Sequence, residues 1–175
     1  MSYPATDLLK RVERVLIYLW GTKSMALTYS SAPDTNLQFV WAPRAVVHGR
    51  SDANFEVGHS TSGYVFILTA AVSWAPKKQD SVALHTQHAE INAGSLAACE
   101  AVCLRGLLAE AGHPQRYPTL LLMDNSSSID LAFDPVLHAK TKHIERRDLF
   151  IRELVSRDVI KPRYVSTANN TADVL

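Results

Sequence analysis

The sequence predicts an α/β protein built on a mixed five-stranded sheet: three strands in antiparallel succession, then strands joined through helical crossovers, with helices flanking. Three observations predict it. Two runs rich in β-branched and aromatic residues, 63–69 (GYVFILT) and 71–75 (AVSWA), stand one residue apart, the spacing of an antiparallel hairpin. The apolar period then lengthens to that of a helix across 86–111. A short apolar run, 119–124 (TLLLMD), follows between Pro118 and Asn125, as suits a strand buried on both faces.

The elements follow in order. Between 6 and 20, Leu8, Leu9, Val12, Val15, Leu16 and Leu19 recur at helical spacing with Lys10, Arg11, Glu13 and Arg14 between them, which predicts an amphipathic helix closed by Gly21. A loop rich in Ser, Pro, Asp and Asn spans 29–36 and reads as a boundary. Residues 45–52, with Val46 and Val47, are the first strand, and the hairpin supplies the second and third. The long helix over 86–111 carries Ile91, Leu96, Ala97, Val102, Leu104, Leu107 and Leu108 and stops at Gly112-His113-Pro114. After the buried strand, helices are expected over 125–133 and 143–156. Residues 159–165 form a strand whose Pro162 favours an edge, and a last helical turn begins near Asn170.

Length and composition bound the rest. The chain has 175 residues, about one domain, with 47% hydrophobic and 20% charged residues, which excludes a disordered or collagenous protein. A net charge of +1 argues against a binder that relies on long-range attraction to nucleic acid, though not against a local basic groove. No stretch reaches 18 consecutive apolar residues, so no membrane partner is expected, and the N-terminus lacks a signal-peptide layout. Cys99 and Cys103, spaced i,i+4, read as small buried core residues of a reduced, intracellular protein, with no second Cys/His pair at zinc spacing.

Most acids fall on exposed helix faces, but four do not. Asp52 and Asp124 end strands, Glu90 lies in the first turns of the long helix, and Asp173 sits in the last turn. Carboxylates at strand ends and helix starts can converge on one rim of a sheet. An oxygen-only donor set favours Mg2+ or Mn2+ over zinc. The competing reading of Asp52 and Asp124 is a cap on the turn that follows each.

Six segments then occur in a fixed order: STSGYVF (60–66), SWAPKKQDSVAL (73–84), AEINA (89–93), MDNSSSIDLA (123–132), TKHIERRDLFIREL (141–154) and TADVL (171–175). The series resembles the ribonuclease H domain of copia-type LTR-retrotransposon polyproteins, whose corresponding motifs run roughly SDADW, RRSTSGYVF, SWSSKKQ, TEAEY, DNQSA, TKHI and ADI. Residues 18–30 (YLWGTKSMALTYS) resemble the end of the preceding reverse transcriptase and its connection. The resemblance thus implies a reverse-transcriptase connection remnant over 1–36. It implies a ribonuclease H-like domain over 37–175, C-terminally truncated because only two residues follow Asp173. The family's acidic tetrad falls on Asp52, Glu90, Asp124 and Asp173. It implies hydrolysis of the RNA strand of RNA–DNA hybrids with two Mg2+ (or Mn2+), Asp52 bridging them. Two such ions about 3.5–4 Å apart activate the water and stabilise the leaving oxygen. Successive 2′-hydroxyls read across a shallow groove would select RNA.

Substrate contacts are expected at Lys77 and Lys78, at Lys140 and Lys142, all read as loop residues, and at Asn125 and Ser126 beside Asp124. His143 matches the histidine of TKHI. Residues 140–152 hold five basic residues against two acids, and Arg147 and Arg152 there read equally well as a solvated helix face. Partners implied are the hybrid and the reverse-transcriptase part of the parent polyprotein, in a cytoplasmic virus-like particle or the nucleus. The chain departs from the family pattern at Gly58 and His59, which replace paired arginines, at Asn54-Phe55, which replace Asp-Trp, and in a longer lead over 39–49. His85 and His88 stand where Ser and Glu are usual, with His88 close enough in sequence to bear on Glu90. Residues 166–171 (STANNT) carry no loop histidine. Integrases share the fold but follow a different motif order. A non-catalytic remnant that binds hybrid or a partner is the alternative to an active nuclease.

Overall fold

A computed structural model of the chain describes residues 6–29, 46–56, 59–80, 82–83, 85–133 and 146–175. Helix α1 spans Thr6–Gly21. Strands β1 (His48–Asn54), β2 (Thr61–Ile67) and β3 (Ala71–Lys78) follow, then helix α2 (Thr86–Glu110) and strand β4 (Thr119–Met123). Helices α3 (Ser126–Phe133) and α4 (Arg146–Ser156), strand β5 (Ile160–Tyr164) and a 3-10 turn (Thr167–Asn169) complete the order.

The five strands form one sheet in the order β3-β2-β1-β4-β5. β1 pairs antiparallel with β2, and β2 with β3; β4 lies parallel to both β1 and β5. The expected mixed sheet is therefore present, and β5, with Pro162, is an edge strand as a residue without an N–H requires. β1 begins three residues later than expected and runs on to Asn54. Val46 and Val47 precede it, and seven-residue pairing with β2 carries the polar stretch Ser51-Asp52-Ala53-Asn54 into the sheet. β3 also runs further, through Pro76 to Lys78, because pairing with β2 continues to Thr61.

α2 packs on β1, β2 and β4, and α3 and α4 pack beside it on the same core. That core centres on Val47, Phe66, Leu121, Met123, Ile151 and Ile160. α2 meets the sheet through Ala89, Ala93, Ala97 and Ala101, all fully buried at four-residue spacing, while Val102 and Leu107 are exposed. Of the large apolar residues that mark the helix in the sequence, Ile91 joins the core and Leu104 and Leu108 pack against it, while the small side chains let the helix lie close to the strands. An 18-residue window of α2 reaches a mean hydropathy of 1.3, enough in length and composition to cross a bilayer, but its alanine face is spent on the sheet. Cys99 and Cys103 correct the sequence reading: both are exposed, on the side of α2 turned away from the alanine row.

Two glycines are fixed by close approach. A Cβ at Gly49 would stand 2.4 Å from Cε1 of the fully buried Phe66 ring. One at Gly63 would stand 3.0 Å from the Ala172 carbonyl oxygen and from Leu175 Cβ, so the final segment lies close against β2 at a position where a side chain would force it to give by a few tenths of an ångström. In place of the expected helical turn from Asn170, the 3-10 turn at Thr167–Asn169 leads into further turns through Val174.

Candidate functional site

β1 and β4 are parallel neighbours, so their C-terminal ends reach the same rim. The register pairs Arg50 with Leu122; continued by two residues it sets Asp52 beside Asp124. Glu90, in the second turn of α2, comes to the same point because the alanine row holds that end of the helix on the sheet. Carboxylate oxygens of Asp52, Glu90 and Asp124 all lie within 4.8 Å of one another. Asp173 lines the same cleft, of about 560 Å3, together with Asn54, Thr61 and Gly63, but stands outside that tight group and is exposed.

Burial and mutual repulsion dominate the electrostatics. Asp52 is 8% exposed and Glu90 5%. Burial, then the charges of Asp52 and Asp124, push Glu90 up to about 8. Burial, then Asp124 and Asp173, push Asp52 up to about 6. His88 is not among the causes at Glu90; two residues apart on a helix, the side chains leave in different directions. Two like charges at this separation repel by about 3 kcal/mol at an effective dielectric of ~20. Glu90 Oε2 is buried with no hydrogen-bond partner. An orphaned carboxylate oxygen inside a cluster of oxygen donors fits a hard divalent cation, which would relieve both penalties.

Neighbouring polar groups hold the acids. The Thr167 hydroxyl donates to Asp124 Oδ2 at 2.8 Å. Asn170, 4% exposed, donates from Nδ2 to the Ser51 carbonyl at 3.0 Å and to Asp52 Oδ1 at 3.4 Å. Gln79 fixes the α2 end: its Nε2 donates to Ser62 Oγ and to the Ala89 carbonyl, and its Oε1 accepts from Asn92. Thr167, Asn170 and Gln79 escaped the sequence reading. For Gln79 the available signal was its place in the KKQ of 73–84, and for the other two it was the three-residue spacing of Thr167, Asn170 and Asp173.

The expected substrate contacts divide. Lys77 and Lys78 are exposed but are the last residues of β3, not of a loop. They oppose Ser62 and Thr61, which oppose Ala53 and Asn54, so they stand two strands from β1 at the site's own end of the sheet, about 10 Å across. Asn125 accepts from the Ser128 amide at 3.1 Å, capping α3, and so has a structural task. Ser126 is exposed in the first turn of α3. Arg152 donates from Nε to the Leu131 carbonyl at 2.7 Å, tying α4 to α3 rather than facing solvent freely. Lys140, Lys142, His143 and Gly58 lie outside the described residues. His59 donates from Nδ1 to the Gln79 carbonyl at 2.9 Å.

The ribonuclease H1 of the halophilic archaeon Halobacterium salinarum superposes with a TM-score of 0.52 at 20% identity, over 74% of this chain and 92% of that one. A foamy viral protease–reverse transcriptase solved in complex with RNA/DNA hybrid gives 0.52 at 15% identity, over 86% of this chain and 22% of that one. The fold is therefore ribonuclease H-like, and the acidic rim is its candidate site. No protein-family model matches the chain. The retrovirus-related Pol polyproteins from transposon TNT 1-94 of Nicotiana tabacum and from transposon RE2 of Arabidopsis thaliana are 32% and 30% identical across the whole of it. The chain is thus homologous along its whole length to a segment of retrovirus-related Pol polyproteins of transposons, and spans 13% and 12% of the length of those two relatives.

Proposed function

We propose that this chain is the ribonuclease H part of a copia-type retrotransposon polyprotein and cleaves the RNA strand of RNA–DNA hybrids. The observation that carries the reading is the convergence of Asp52, Glu90 and Asp124, from a strand, a helix and a strand end, within 4.8 Å. Asp52, Glu90 and Asp124, with Asp173 from the cleft wall, would hold two Mg2+ or Mn2+ ions. Such ions supply Lewis acidity for the attacking water and the departing oxygen. The chain's own part is to set four acids around the scissile phosphate and to keep the buried pair shielded from solvent. Lys77 and Lys78 would meet backbone phosphates of a duplex laid across the rim, the ~10 Å offset being shorter than the width of a double helix. The foamy viral complex with hybrid supports that class of partner. Residues 1–36 are read as reverse-transcriptase connection, with the exposed apolar side of α1 as its contact with the polymerase part.

Incubation with a hybrid labelled on the RNA strand tests the reading. Mg2+- or Mn2+-dependent endonucleolytic products are expected, and Asp124→Asn should lower their rate by orders of magnitude with the fold intact by circular dichroism. No product with either metal would favour the alternative, a catalytically inactive fragment that only binds nucleic acid or a partner. Undiminished cleavage by Asp124→Asn would put the site elsewhere.

A further inference from the structure

The final ten residues reach the acidic rim at every third position. Thr167, Asn170 and Asp173 are linked by successive i→i+3 backbone hydrogen bonds, from the Asn170 amide to the Thr167 carbonyl at 2.9 Å and from the Asp173 amide to the Asn170 carbonyl at 3.1 Å. An i→i+3 bond brings residues three apart onto the same side of the chain. Here that side faces the carboxylates: Thr167 takes Asp124 Oδ2, Asn170 takes Asp52 Oδ1, and Asp173 lines the cleft.

The segment is anchored independently of the acids. Arg50 donates from Nη1 to the Asn169 carbonyl, and Asn170 Nδ2 also donates to the Ser51 carbonyl of β1. Asn170 Oδ1 accepts from the Ala172 amide at 3.3 Å, fixing the turn that precedes Asp173. Ala172 is 1% exposed, against Gly63 of β2. Arg50, two residues from Asp52 on the same face of β1, thus has its guanidinium on a backbone carbonyl. Among the described residues, the donors to the two aspartates, Thr167 to Asp124 and Asn170 and the Ala53 amide to Asp52, are uncharged.

We infer that Thr167 and Asn170 are positioning residues for a divalent-cation site, each holding one oxygen of Asp124 and Asp52 with a neutral donor and leaving the other oxygen of each carboxylate for the ion. A cation at those atoms, in the manner of a lysine, would cancel the negative charge that attracts the metal; a hydroxyl and an amide orient the acids without doing so. The inference rests on the acidic rim being a metal site, and deepens that reading. Groups that orient ligating carboxylates typically contribute about 10- to 100-fold in metal affinity.

The test is Mn2+ titration of the metal-free chain, followed by electron paramagnetic resonance, with wild type, Thr167→Val, Thr167→Ser, Asn170→Ala and Asp124→Asn. Thr167→Val and Asn170→Ala are expected to weaken Mn2+ binding about 10-fold or more. Thr167→Ser, which keeps the hydroxyl, should bind as wild type does. Near-ultraviolet circular dichroism identifies a variant that has lost its packing; if Asn170→Ala does so, the Val/Ser pair at 167 decides alone. Wild-type affinity in Thr167→Val, with affinity lost in Asp124→Asn, would overturn the positioning role and leave the metal site standing. Equal binding by wild type and Asp124→Asn, or none by wild type, would overturn the metal site and the inference together.

Discussion

Asp52 and Glu90 keep protons in the folded chain at pH values where the unfolded chain has released them. The ordinary values are 3.8 and 4.5; folding raises them to about 6 and about 8. Since the native state binds more protons across this window, folding stability is greatest below pH 4 as far as these two groups go, and is lost as pH rises to about 8. The thermal midpoint of the metal-free protein is therefore expected to fall between pH 5 and pH 8. Added Mg2+ should restore it at pH 8, and Glu90→Gln should flatten the metal-free profile. Melts by circular dichroism in EDTA and in Mg2+ check this; a midpoint that rises with pH in EDTA would contradict it. At this scale Asp52, Glu90 and Asp124 were legible as candidates that the fold brings together, because acids near strand ends and a helix start tend to meet at one rim. Thr167 and Asn170 were not, since the three-residue spacing of a hydroxyl and an amide in a polar tail carries no meaning until the backbone turns are known.

Among the elements, Gln79, the residue after β3, ties β2 to the start of α2, while Ser73 of β3 donates to Glu100 further along the helix at 2.6 Å. The Gln79 amide spans the gap from Ser62 on β2 to Ala89 and Asn92 on α2, flanking Glu90 on both sides in sequence. Gln79→Leu removes two donors and one acceptor from a buried cluster and is expected to cost about 1–3 kcal/mol in urea denaturation. It should also weaken Mn2+ binding, because the turn that carries Glu90 loses its tie to the strands. Unchanged stability and unchanged binding would show that the alanine row alone holds α2. Element existence and order were readable from periodicity, and β4 in particular, where Leu121 and Leu122 are 0% and 4% exposed, is the two-sided strand its composition suggests. Boundaries were not. β1 extends on through Asn54 and β3 through Pro76, Lys77 and Lys78 because a partner strand continues beside them, and pairing outweighs the poor strand preference of those residues.

Over the whole molecule, apolar surface is divided unevenly. Leu121 is fully buried at the sheet's centre, whereas Leu16 and Trp20 of α1 are 60% and 73% exposed, with Lys23 Nζ 4.0 Å above the Trp20 ring. Leu121→Ala should cost about 2–5 kcal/mol. Leu16→Glu should change stability by no more than about 0.5 kcal/mol. Denaturant titration of the two variants measures the contrast, and a large loss for Leu16→Glu would mean that α1 packs on the domain. The near-neutral total charge resolves in the same way, into an acidic rim and the Lys77–Lys78 pair two strands from β1 at the same end of the sheet. By itself the sequence determined the α/β order and the motif series, and marked the acids as candidates, because local periodicity and residue type depend on neighbours in the chain. Tertiary structure alone decided that Asp52, Glu90 and Asp124 share one point while Asp173 stands at the cleft wall. It also decided which face of α2 is buried and which polar groups hold the carboxylates. Those outcomes depend on strand register and interlayer spacing, which join residues such as Asp52 and Asn170 that lie far apart along the chain.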